Sequence, residues 1–129
     1  SHGGEIRICV EAGLPLSYLW RNATARERAV AMFGKLRVWD TDANNGVLIY
    51  LLLAEHAIEI VADRGLNDKV SAEQWRQLVG GMAAAFKAGR WEQGLGEAVD
   101  AVDAVLARHY PLAPGAANPN ELPDAPVVR

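Results

Sequence analysis

Two stretches hold the side chains whose types and spacing could do chemistry. The first is Trp39-Asp40-Thr41-Asp42-Ala43-Asn44-Asn45-Gly46, and the second is Asp63-Arg64-Gly65-Leu66-Asn67-Asp68. Together they supply four carboxylates (Asp40, Asp42, Asp63 and Asp68) and three amide side chains (Asn44, Asn45 and Asn67). Clustered carboxylates repel one another unless a cation or an arginine neutralises them. Hard cations such as Ca²⁺ take carboxylate, amide and backbone carbonyl oxygens. The same residue types also form turns and cap helices, and spacing alone leaves both readings open.

Asp40-x-Asp42-x-Asn44 has the opening spacing of an EF-hand loop, but glycine falls at the seventh position and Leu51 at the twelfth. An EF-hand needs glycine at the sixth and glutamate at the twelfth. A cation site here would therefore be assembled from both stretches. Arg64 beside these carboxylates admits a second chemistry. In a metal-assisted phosphomonoesterase, a cation and Arg64 would hold phosphate, and an aspartate would act as nucleophile or as base for water. No P-loop, Gly-x-Ser-x-Gly or His-Glu-x-x-His motif accompanies it. Cys9 lies within a strand pattern and reads as a buried, inert thiol. The three histidines, His2, His56 and His109, are too scattered for a zinc cluster. Asn22-Ala23-Thr24 matches a glycosylation sequon, a short pattern that arises often by chance.

The elements that must position these stretches follow from apolar periodicity. Glu5 to Ala12 alternates, with Ile6, Ile8 and Val10 opposite Arg7, Cys9 and Glu11, which predicts a strand with one well-buried face. Ala29, Phe33 and Leu36 make an amphipathic stripe over 23–36. Its charges, Arg26, Glu27, Arg28 and Lys35, are expected on a solvated face. Val47 to Leu53 is a continuous apolar strand of the kind covered on both faces. Ala57 to Asp63 alternates again, and the short connection 54–57 predicts an antiparallel hairpin. Ser71 with Gln74 forms a capping-box pattern opening a helix lined by Trp75, Leu78, Val79, Met82 and Phe86. Gly80-Gly81 within it implies close packing on the sheet, and Gly89 its stop. Trp91, Leu95, Val99, Val102 and Leu106 line a last helix over 91–110. The order is βαββαα, with a right-handed crossover between parallel strands. The fold class is α/β, a small mixed sheet with helices packed on it. The hairpin carries the functional argument, because it sets the two acidic stretches at one edge of that sheet.

Composition bounds the rest. The chain has 129 residues, 50% hydrophobic, with 13 Lys plus Arg against 16 Asp plus Glu. One domain is expected, and an acidic balance argues against nucleic acid as a partner. No apolar run approaches the roughly 20 residues that span a bilayer. A single cysteine excludes an internal disulfide framework. Five of six prolines fall in 111–129, so 112–129 reads as a Pro-rich tail following a domain over 5–111. No signal peptide is visible, which favours the cytoplasm; a chain whose signal had been removed would belong to the periplasm.

Several of these pieces together resemble the TPM domain family. They are Arg26-Glu27-Arg28-Ala29, Val38-Trp39-Asp40-Thr41-Asp42, Asn45-Gly46-Val47-Leu48-Ile49-Tyr50, and Glu59-Ile60-Val61-Ala62-Asp63-Arg64-Gly65, with Phe86-Lys87-Ala88-Gly89 and Gly94-Leu95 later. The resemblance spans roughly Glu5 to Pro111 and is closest to the short bacterial branch. It implies a three-layer α/β/α sandwich with a small mixed sheet, divalent-cation binding in an acidic cleft and, for some members, acid phosphatase activity. Family members usually carry a helix before the first strand, and many a signal peptide or transmembrane helix; this sequence shows neither. The family's pattern carries over to Asp40, Asp42, Asn45 and Asp63, and to Glu59.

The expected function is thus a domain that binds a divalent cation, Ca²⁺ foremost, at the acidic two-loop edge. Glu59, Arg64 and Asp68 would stand behind the ligands or contact a phosphate. The alternatives are the metal-assisted phosphatase-like hydrolase and a protein-interaction module. For the last, Trp20 and Trp39 are the candidate anchors, while Trp75 and Trp91 are expected in the core.

Overall fold

Strand β1 (Glu5–Glu11) pairs in parallel with β2 (Gly46–Leu52), and β2 pairs antiparallel with β3 (Ala57–Ala62). The computed structural model describes residues 4–41, 43–111 and 127–128. Helices α1 (Leu16–Trp20) and α2 (Ala25–Lys35) connect β1 to β2, and a 3-10 turn, Leu53–Glu55, closes the hairpin. After β3 come α3 (Arg64–Asn67), α4 (Ala72–Lys87) and α5 (Trp91–His109). A two-residue strand β4 (Val127–Val128) pairs in parallel with the other side of β1, giving the order β3-β2-β1-β4. The rest of the Pro-rich tail lies outside the described residues.

Two buried clusters, one on each face of the sheet, make the sandwich. Val10, Val47, Ile49, Leu51, Ile58 and Ile60 pack against Met82 and Phe86 of α4 and Val102 and Leu106 of α5. On the opposite face, Cys9, Leu48, Tyr50, Leu52 and Val61 pack against Ala29 and Met32 of α2. All seven residues of β2 are buried, as a continuous apolar strand between two helical layers requires. The capping box forms as expected: Ser71 accepts from the Gln74 N–H and Gln74 accepts from the Ser71 N–H. Gly89 adopts φ +87°, the left-handed conformation that ends α4.

The structure departs from the sequence reading in particular places. β1 is covered on both faces, and Glu11 is buried. The α2 layer makes this tolerable, because Arg28 is buried with it and is not on a solvated face. Arg28 donates to both carboxylate oxygens of Glu11, from Nε at 2.8 Å and from its terminal NH₂ at 2.9 Å. The Tyr50 hydroxyl donates to the same carboxylate at 2.7 Å, and the Tyr18 ring lies 5.1 Å from the Arg28 guanidinium carbon. Burial and the Glu11 partner push the Tyr50 hydroxyl pKa well up, and the ion pair pushes Arg28 up. Gly80 and Gly81 are not in close packing, since an added Cβ would meet nothing within 4 Å at either. Trp91 is 40% exposed. As the first residue of α5, its side chain tilts back past the helix end, beyond the core.

Candidate functional site

The hairpin places the two acidic stretches against each other. Antiparallel pairing runs to Val47 opposite Ala62, and one residue further the Asp63 N–H donates to the Gly46 carbonyl at 2.9 Å. The Gly65 N–H then donates to the Asn44 carbonyl, also at 2.9 Å. The seam leaves no room for a side chain at Gly65, where an added Cβ would lie 2.5 Å from the carbonyl oxygens of both Ala43 and Asn44. Tyr110, just past α5, donates its hydroxyl to the Gly65 carbonyl at 3.0 Å and pins the seam from behind.

Asn44 carries the left-handed conformation of the first loop, with φ 52°. Gly46 is instead required by proximity: an added Cβ would sit 2.0 Å from the Val38 carbonyl oxygen. The turn at Asn45-Gly46 therefore takes its glycine from packing and its positive φ one residue earlier. The Asn45 N–H donates to the Thr41 hydroxyl at 3.1 Å, tightening the loop, and Asn45 is 1% exposed.

Each candidate residue has a definite place. Asp63 caps α3, its Oδ1 accepting from the Arg64 N–H at 2.7 Å. Its other carboxylate oxygen, Oδ2, is buried with no hydrogen-bond partner among the described residues. Asn45 directly precedes Gly46, whose carbonyl accepts from the Asp63 N–H across the seam. Asp40 is exposed and paired with Arg37 at 2.9 Å, while Asp42 lies outside the described residues. Arg64 is exposed, and no carboxylate pairs with it among the described residues. Asp68 is exposed at the far end of α3. Glu59 is not brought to the seam: four residues of strand set it about 13 Å from Asp63. It faces Arg26 instead, at 3.7 Å, and half-burial pushes its carboxyl pKa up against the opposing pull of that guanidinium.

Among the described residues, no group of three His, Cys, Asp or Glu side chains could hold a metal ion. The seam offers one carboxylate with a buried oxygen, a buried amide and backbone carbonyls, a hard-oxygen set with no nitrogen or sulfur donor. Thr41, Gly65 and Tyr110, which build it, gave no signal in the sequence. Their roles depend on contacts across the loop, across the seam and with the end of α5.

Comparison with known proteins agrees with this architecture. The TPM domain family pattern matches residues 1–105. The chain is similar to the BA42 protein of the psychrophilic bacterium Bizionia argentinensis, known from its NMR structure. Identity is 28% and the TM-score 0.82, over 99% of this chain and 82% of that one. It also shares its fold with the N-terminal domain of a protein from P. gingivalis, at 19% identity and a TM-score of 0.65, over 81% of this chain and 64% of that one. No curated protein matches the chain. Among the described residues, no helix is long and apolar enough to cross a membrane.

Proposed function

The chain belongs to the TPM domain family, and from that premise we propose that it binds a divalent cation, Ca²⁺ foremost, at the seam between the 40–45 loop and the start of α3. The observation that carries this reading is Asp63 Oδ2, a buried carboxylate oxygen without a hydrogen-bond partner. A buried unpaired carboxylate oxygen is costly, and a cation would remove that cost. Asn45 and the Ala43 and Asn44 carbonyls line the same seam with the neutral oxygens that Ca²⁺ accepts alongside a carboxylate. Asp40 and Asp42 belong to the same loop, and Asp40 would exchange Arg37 for the cation.

Calorimetric titration with CaCl₂ and MgCl₂, paired with thermal melting, tests the reading. A cation that binds the native state stabilises it by about 2.7 kcal/mol at 100 times its Kd. Asp63→Asn should lose at least about tenfold in Ca²⁺ affinity while folding normally, because asparagine caps a helix as well as aspartate does. Neither heat nor a melting shift at millimolar metal would end the proposal.

A hydrolase reading has one observation in its favour. Arg64 is exposed at the seam, and with no carboxylate partner among the described residues its fork is open to an anion. On that reading the chain hydrolyses p-nitrophenyl phosphate with Arg64 holding the phosphoryl oxygens, and Asp63→Ala abolishes turnover. Equal rates in the variant and the parent would remove it.

A further inference from the structure

A groove of about 730 Å³ runs between the outer edge of β3 and helix α4, reaching Ala62 and Asn67 at its seam end. Its size falls within the range of roughly 300–1,000 Å³ typical of small-molecule sites. Ile58, Ile60, Val70, Trp75 and Val79 give it an apolar body. At Gly80 a missing side chain leaves the α4 wall open, since an added Cβ would meet nothing within 4 Å.

The polar groups of the groove are mostly donors. The bond from the Asp63 N–H to Gly46 fixes the parity of β3. Residues 57, 59 and 61 turn their backbone groups to β2, and Ile58, Ile60 and Ala62 turn theirs outward. Two outward carbonyls are already taken: Ile60 accepts from Arg26 at 2.6 Å and Ala62 from Asn67 at 3.1 Å. The outward N–H groups remain, and the Trp75 indole N–H is buried with no partner among the described residues. The lining carries two guanidiniums, Arg26 and Arg76, against one carboxylate, Glu59. Arg76 also pairs with Glu73 on the outer turn of α4, and Arg26 stands beside Glu59. Glu73 is not among the lining residues, so the lining itself keeps one net positive charge, which an occupant with apolar surface, hydrogen-bond acceptors and a negative charge complements. Strand addition by a peptide fits less well, because an added strand needs the carbonyls that Arg26 and Asn67 already hold.

We propose that this groove is a binding site for a small apolar carboxylate, its hydrocarbon body against Ile58, Trp75 and Val79 and its carboxylate toward Arg26 and Arg76. The proposal is independent of cation binding at the seam. It is tested by ¹H–¹⁵N NMR titration of the whole chain with sodium octanoate, octan-1-ol, and an end-blocked Val-Thr-Val-Thr peptide as the strand-addition probe. Octanoate should saturate, moving the backbone amides of Ile58, Ile60, Val79 and Gly80 and the Trp75 indole signal. Octanol should bind at least about tenfold more weakly, the loss of a charge-assisted contact. Gly80→Leu should fill the groove and abolish the octanoate shifts with the melting temperature kept, since the position is exposed and leucine favours helix. Four results would overturn the proposal. They are no saturable shifts at millimolar octanoate, equal binding of octanol, undiminished binding in Gly80→Leu, and tighter binding of the peptide, which would make the groove a strand-addition edge.

Discussion

Arg28→Ala is expected to destabilise the protein by about 3–5 kcal/mol, the usual cost of removing one partner from a buried ion pair. For a domain of this size that lowers the melting temperature by roughly 10–20 °C. The reason is the company Arg28 keeps. Side-chain exposure is 7% for Arg28 and 4% for Glu11. The Tyr50 hydroxyl, which also donates to the Glu11 carboxylate, is neutral and cannot balance its charge. The variant leaves a buried carboxylate without its guanidinium. Glu11 would then prefer its protonated form, so its folded-state pKa would rise above the unfolded value. The deficit should therefore shrink as the pH falls through the carboxylate range and be largest at neutral pH. Adding Glu11→Gln to Arg28→Ala should recover part of the loss at pH 7 by removing the charge itself. Thermal or denaturant melts of the three variants check this, and a loss under about 1 kcal/mol for Arg28→Ala would mean that water reaches Glu11.

Gly65→Ala acts on the seam itself. The new Cβ falls 2.5 Å from two backbone carbonyl oxygens, those of Ala43 and Asn44, and backbone cannot rotate away as a flexible side chain can. The 43–45 loop and the start of α3 must separate, breaking the bond from the Gly65 N–H to Asn44. Overpacking of this kind costs about 1–3 kcal/mol. Most of each core cluster is built by β1, β2, β3, α2, α4 and α5 and not by the 43–45 loop, so the fold should survive. The larger effect is on cation binding. If the seam is the site, affinity should fall at least about tenfold, because the ligands are no longer held at coordination distance. Calorimetry with CaCl₂ reads this directly. Unchanged affinity alongside a measurable loss of stability would move the site away from the seam.

Much of the frame was legible in the sequence. Period-two alternation and an unbroken apolar run gave the three main strands, and the short connection between β2 and β3 gave the hairpin. That hairpin predicts Asp42 beside Asp63; Asp42 lies outside the described residues, and the residue that bonds Asp63 across the seam is Gly46. What escaped the sequence depends on tertiary contact. Arg28 looked like one charge among several on a polar face, because periodicity does not show that Glu11 waits beneath it on β1. Gly46 looked like a turn glycine, although the Val38 carbonyl is what excludes a side chain there. The short helices α1 and α3 carry too few residues for a period, and Asp63, read as the last residue of its strand, is the N-cap of α3. The groove beside β3 was invisible because its walls come from residues that read as an ordinary core stripe, and its opening is set by how far α4 stands from the sheet edge. Trp20, 81% exposed beside Leu16 and Leu19, was one of the anchors the sequence suggested for a protein partner.

The most direct test of the central claim is a ¹H–¹⁵N NMR titration of the chain with CaCl₂, read residue by residue. The account predicts saturable shifts centred on the amides of Asn44, Asn45, Asp63, Arg64 and Gly65, on both sides of the seam at once. Shifts confined to one of the two segments, scattered over exposed carboxylates elsewhere, or still growing linearly at millimolar Ca²⁺ would contradict it.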